Sequence, residues 1–248
     1  MKRFFDPSQP LLSPQTIVRA FTGRRTDELM LPGRAVITFS QADLHRVTKE
    51  KEASVVEPWS SFRVLHHLAG TNTVVVRAFF GGPNVAALVE ELSAFGVSEF
   101  VLWGYCGSIA RDGRIGDLYL VRSALREDGI SYHYLDDDND YVTSDWVDDW
   151  MPVIKEEGFR AVRVWSTDAI YRETEGKVEA YARRGISGVE MEAASLYAVS
   201  RAKGLKAAAF LVVSDLFSAG QWVSGFHGKP FKDGVKKMSR FMNEKVVV

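Results

Sequence analysis

The chain has 248 residues, long enough for one large domain or two small ones and for a sizeable core. Its 31 basic and 32 acidic residues leave a formal charge of −1, so no global field favours nucleic acid or a membrane surface. No apolar run is long enough to span a bilayer, and the single cysteine, Cys106, excludes an internal disulfide, so the sequence predicts a cytosolic protein.

The first 33 residues carry Pro7, Pro10, Pro14 and Pro32 among scattered charges. They read as an arm packed on the domain, with one short helix near Thr16–Phe21, and residues 34–248 as the domain itself. Asp6, Pro7 and Pro10 interrupt the start before any signal-like apolar stretch forms. Ala35–Phe39 is the first buried strand expected, followed by a polar turn at Ser40–Asp43. Thr73–Phe80 is β-branched and aromatic enough for a second strand. Gly81-Gly82-Pro83 ends it, and Asn84 is placed to cap a helix over Val85–Phe95 that Gly96 closes.

Glu99–Trp103 predicts a strand running into Gly104-Tyr105-Cys106-Gly107-Ser108. A further strand is expected at Asp117–Ala124, and the acidic stretch Asp136–Asp140 is solvated. A helix over Asp145–Glu157 precedes a strand at Ala161–Trp165. Helices then cover Glu175–Arg184 and Glu190–Lys203, and the strand Ala207–Val213 delivers Ser214-Asp215 at its C-terminal end. An amphipathic helix, Asp233–Asn243, closes the chain. Strands alternate with helices and no linker composition interrupts them. This predicts a single α/β domain with a central mixed, largely parallel sheet flanked by helices.

Several stretches can carry chemistry, each beside a structural reading. A strand followed by Gly-x-x-Gly-Ser can cradle an anion or a sugar hydroxyl with backbone N–H groups, or simply turn the chain. Cys106 alone reads as a small core residue. Glu190-Met191-Glu192 suits helix initiation, because carboxylates favour a helix N-terminus. The same trio suits a sugar, with a carboxylate on vicinal hydroxyls and methionine against the ring. Asp215, at the mouth of an apolar strand where open α/β sheets bind ligands, is either a turn cap or a proton donor to a leaving group. Arg46 and Arg63 are candidate anion ligands. His66-His67 lacks a third ligand at metal-site spacing, so no metal is expected.

Together these stretches resemble the hexameric nucleoside phosphorylase family, which contains bacterial purine nucleoside phosphorylase, uridine phosphorylase and the methylthioadenosine nucleosidases. GVEMEAASLYAVSRAKGLKAAAFLVVSD (residues 188–215) is similar to the purine enzymes' GVEMEAAG…VSD pattern. GYCGSIARDGRIGDLYLVRSALREDG, STDAIYRE and ITFSQADLHRV resemble, in turn, the glycine block, the base-stacking stretch and the phosphate loop. The resemblance implies cleavage of a nucleoside, purine favoured, by inorganic phosphate as co-substrate. The products are free base and ribose 1-phosphate, and no metal or organic cofactor takes part.

By the same resemblance Met191, Glu192 and Glu190 face the ribose, and Glu192 and Asp215 are catalytic. Ile170, Tyr171, Val189, Ser214, Cys106 and Gly107 surround the base with Asp215, which protonates it. Arg46, Arg63, Gly104 and Tyr105 meet phosphate, Arg63 across a subunit interface of a homo-oligomer (dimer or hexamer). The Gln-x-Arg pair that grips uracil falls at Thr174 and Gly176 and is absent. Leu102 stands where the phosphorylases have arginine, Tyr105 where they have Ser or Thr, and Ala42 where they have glycine. These changes leave two alternatives: a hydrolase with water as acceptor, or a non-catalytic nucleoside-binding protein. Lys229 is the nearest stand-in for the arginine that assists the acid. A dinucleotide-dependent oxidoreductase is excluded by the lack of G-x-G-x-x-G after the first strand.

Overall fold

The computed structural model describes residues 4–57, 59, 63–218 and 220–247. Helix α1 (Pro14–Thr22) starts at Ser13, whose hydroxyl accepts from Thr16 N, and ends at Gly23 in the left-handed region. It buries Val18 completely, and Leu31 N donates to Phe95 O. Strand β1 (Arg34–Thr38) then leads directly into α2 (Gln41–Thr48), capped by Ser40, where the sequence predicts only a turn. A short meander follows, of β2 (Ala53–Val55), β3 (Leu65–Leu68) and β4 (Thr73–Arg77). Helix α3 (Gly82–Ser93) begins one turn earlier than expected, with Gly81 at its N-cap. Asn84 is not that cap; its amide donates to Phe80 O instead.

Strand β5 (Glu99–Ser108) is ten residues long and contains the whole glycine block. The expected turn at Gly104–Ser108 therefore does not exist. The glycines are strand residues whose missing side chains make room for neighbours. Next come β6 (Leu118–Glu127), α4 (Ser131–Tyr134), β7 (Tyr141–Thr143), α5 (Val147–Glu157) and β8 (Arg160–Thr167). A single 3-10 turn at Ile170–Arg172 precedes α6 (Glu175–Arg183). Strand β9 (Ile186–Glu190) was not expected, and helix α7 (Ala193–Ala202) begins after the glutamates rather than with them. Strand β10 (Lys206–Ser218) turns back through β11 (Gln221–Ser224), and α8 (Lys229–Phe241) ends the fold.

The sheet is mixed, with its long ladders parallel (β1–β4, β1–β5, β5–β10, β6–β8) and its antiparallel ladders short. Because β10 pairs both β5 and β6, and β6–β8–β9–β5 are paired in turn, these five strands close into a ring. The residues Ala207–Val213 of β10 are all buried, as a strand covered on both faces requires. Helices α3 and α7 pack on one side, with Tyr197 of α7 donating to Val121 O.

Closure brings the far end of β5 against the far end of β10. Gly107 lies opposite Asp215, after a register shift between Val213 and Asp215 that leaves Ser214 bulged. Bulges of this kind re-aim a side chain beside a site. A Cβ on Gly107 would lie 2.7 Å from both Asp215 Oδ2 and Phe217 Cε2, so glycine is the residue the packing admits. Gly107→Ala is expected to cost about 1–3 kcal/mol. The thermal midpoint should fall, and Asp215 should turn from its present direction; an unchanged midpoint would show that the strands yield without cost.

Candidate active site

Three segments converge on the junction between β9 and α7. Glu190 is the last residue of β9 and is buried. Its Oε2 accepts from Glu192 N at 2.8 Å and Ala193 N at 2.7 Å, and its Oε1 accepts from the Ser166 hydroxyl. Ser166, at the end of β8, also accepts from Ala194 N at 2.9 Å. These bonds satisfy the first donors of α7 and oppose its positive end with a carboxylate. Glu190 is therefore engaged in holding the helix start.

With its backbone fixed in this way, Glu192 points back across the site. Its Oε1 accepts from Gly81 N at 2.7 Å. Gly81 has φ of 97°, a conformation that favours glycine, so the Gly81–Gly82 pair presents an N–H rather than merely stopping a strand. Gly82 itself leaves space for Ser195 of α7. Met191 is half-buried beside Glu192, and Val189 is buried opposite Gly107 on β5. Cys106 is also buried, and burial with the nearby Asp215 and Glu190 pushes its thiol well up, so it stays protonated.

Asp215 closes the other side. Its Oδ1 accepts from the Ser214 hydroxyl at 2.6 Å and its Oδ2 from the Trp222 indole at 2.8 Å. Trp222 comes from β11, so the hairpin supplies the group that orients the acid. Lys229 does not, because its ammonium pairs with Asp233 at 2.9 Å on the exposed face of α8. Ile170 and Tyr171 stand exposed on the 3-10 turn, Tyr171 almost entirely so. Sequence reasoning missed Trp222 and Gly81; their only signals were an aromatic in a polar hairpin and a doubled glycine at a strand end.

The expected phosphate ligands are arranged differently. Arg46 is drawn to Asp43, with Nη1 2.8 Å from Oδ1. Asp43 is buried and also accepts from the Ser40 and Tyr105 hydroxyls, each at 2.5 Å. Tyr105 packs its ring edge-on against Phe231, and burial with the Asp43 charge pushes its phenol up. An internal carboxylate thus takes the donors that an incoming anion would use. Arg63 turns inward to Glu91 of α3 at 2.8 Å and is itself mostly buried. Leu102 is completely buried in β5, Gly104 is buried beside it, and Ala42 is exposed in the first turn of α2.

Burial, reinforced for Glu192 by the neighbouring Glu190, raises both glutamates above the ordinary carboxylate range. The folded protein therefore holds protons that the unfolded chain has released above that range. Stability from this pair is present at low pH and is lost as pH rises through the raised values. The thermal midpoint of the native chain, taken relative to Glu192→Gln, is expected to fall between about pH 5 and pH 8. A constant difference would remove the coupling.

The family model described as the phosphorylase superfamily matches residues 34–244. The chain is 31% identical over 156 residues to a guanosine phosphorylase of Halorubrum lacusprofundi, covering 61% of this chain and 64% of that protein. It is 25% identical over 213 residues to a DeoD-type purine nucleoside phosphorylase of Actinobacillus pleuropneumoniae, covering 84% and 87%. The alignment thus spans less than two thirds of the length of the haloarchaeal relative. The crystal structure of a Toxoplasma gondii purine nucleoside phosphorylase in complex with immucillin-H superposes with a TM-score of 0.75 at 18% identity, covering 90% of this chain and 92% of that one. That likeness extends the agreement to the fold. With a family model that spans all of the sheet and the converging site, this chain belongs to the phosphorylase superfamily.

Proposed function

We propose that this protein cleaves the N-glycosidic bond of a purine nucleoside with phosphate as acceptor, releasing free base and ribose 1-phosphate. The observation that carries this reading is the pairing of two buried acids, Glu192 and Asp215, at one end of the closed ring of strands. Glu192 is positioned to accept hydrogen bonds from vicinal ribose hydroxyls, with Met191 against the sugar. Such donors favour the ionised glutamate that burial alone disfavours. The ionised form then opposes the positive charge that develops on the sugar as the bond from C1′ to the base breaks. Asp215, steered by Trp222 and the Ser214 hydroxyl, delivers a proton to N7 so that the electron pair leaves on a neutral base. A phosphate oxygen then bonds to C1′.

A second reading, with water as acceptor, is favoured by the Asp43–Tyr105–Arg46 arrangement. For phosphate to bind between these groups, Tyr105 must leave Asp43 and Arg46 must reorient. The cost of breaking such charge-assisted bonds is about 1.5–3 kcal/mol each. Pairing with a second copy is part of the proposal. The exposed Phe79, Phe80, Tyr171 and Phe226 support it as apolar surface for such a contact. A reducing, cytoplasmic setting is proposed from the single unpaired cysteine. No helix among the described residues is long and apolar enough to cross a membrane.

Release of free base from purine and pyrimidine nucleosides, with and without phosphate, tests the reading. Phosphate-dependent purine release supports phosphorolysis, phosphate-independent release selects water, and binding without release leaves a nucleoside-binding protein. Asp215→Asn is expected to lower purine cleavage about 10²–10⁴-fold. Unchanged turnover would remove its role as acid. Asp43→Asn removes the carboxylate that holds Arg46 and is expected to lower the phosphate concentration needed for half-maximal rate by roughly tenfold. If that concentration is unaltered, the anion sits elsewhere.

A further inference from the structure

Glu173 has no part in the chemistry derived so far. It ends the 3-10 turn that follows β8, its carboxylate is half-buried, and no hydrogen-bond or ion-pair partner reaches it among the described residues. It lines a cleft of about 880 Å³ together with Phe217 of β10 and Trp222 of β11. Trp222 is the residue whose indole holds Asp215, so this cleft adjoins the acid that faces the base. A half-buried carboxylate without a partner is costly unless a ligand completes it.

The edge of a purine that carries N7 also carries the 6-substituent. At this edge guanine and hypoxanthine present two acceptors, N7 and O6, whereas adenine presents the N7 acceptor and an N6 amino donor. An acid at N7 therefore needs a neighbour that deals with position 6. We infer that Glu173 is the residue that reads the purine 6-position, donating to a 6-oxo group beside the Asp215–N7 contact. This inference rests on the purine reading of the site and adds the substrate class, 6-oxopurine nucleosides.

The carboxyl is suited to donating. Burial, and then the charge of Asp215, push Glu173 up to about 7. The other charged groups lining the cleft are Glu175, Glu179 and Arg183 of α6 and Arg111 and Asp112 after β5. Protonated, Glu173 matches O6; ionised above neutrality, it repels O6 and accepts from an amino group. The preference for 6-oxo over 6-amino purines therefore weakens as pH rises.

Calorimetric titration of the whole protein with hypoxanthine and with adenine, at about pH 6 and pH 8, tests this without requiring turnover. The native chain is expected to favour hypoxanthine at the lower pH and to lose about tenfold of that preference at the higher one. Glu173→Ala should abolish the preference at both. Glu173→Gln, whose amide donates at any pH and conserves size, should keep it at both. If both bases bind and Glu173→Ala leaves their ratio unchanged, the inference is overturned while the purine site stands. If neither base binds, both fall.

Discussion

The carboxylate of Glu190 set against the first turn of α7 is the constraint on which the site depends. A helix start leaves several N–H groups without partners, and burying them unpaired would cost more than a small junction can recover. Glu190 and Ser166 take three of them. The result fixes the backbone at Met191 and Glu192, so that Glu192 can reach Gly81 N without a capping duty of its own. Two glutamates two residues apart thus do opposite things. One neutralises a helix end, and the other is held buried with the Gly81 N–H as its donor.

The opposite wall is built by strand closure. Asp215 is aimed by the bulge at Ser214, made room for by Gly107, and held by an indole from the following hairpin. The bulge and the indole lie close to Asp215 in the chain, whereas Gly107 is remote from it. They work because the ring of β5, β10, β6, β8 and β9 brings strand ends together that are a hundred residues apart. Such fixed donors hold the carboxyl in one direction.

The anion end is organised on another principle. Asp43 gathers Ser40, Tyr105 and Arg46 into a satisfied buried network. A buried carboxylate with three donors is stable as it stands, and an anion must compete with it. The residues expected at the anion end thus carry their own internal counter-charge. This explains why Arg46 alone is poor evidence for phosphate.

The sequence by itself determined the α/β class, the order of the main strands and helices, and the two acids, because long apolar strands and the GVEME and VSD stretches are local signals. It did not reveal β2, β3, β7, β9 or β11, which at three to five residues carry too little alternation to stand out. It misread Gly104–Ser108 as a turn, since a glycine that bends a chain and a glycine that admits a neighbour look the same in sequence. Only the tertiary structure decided that Glu190 serves the helix and Glu192 the site, that Trp222 rather than Lys229 holds Asp215, and that Arg46 and Arg63 face internal carboxylates. Most of these partners are near in sequence, yet spacing alone leaves several donors and carboxylates within reach, and burial and strand closure set which of them meet.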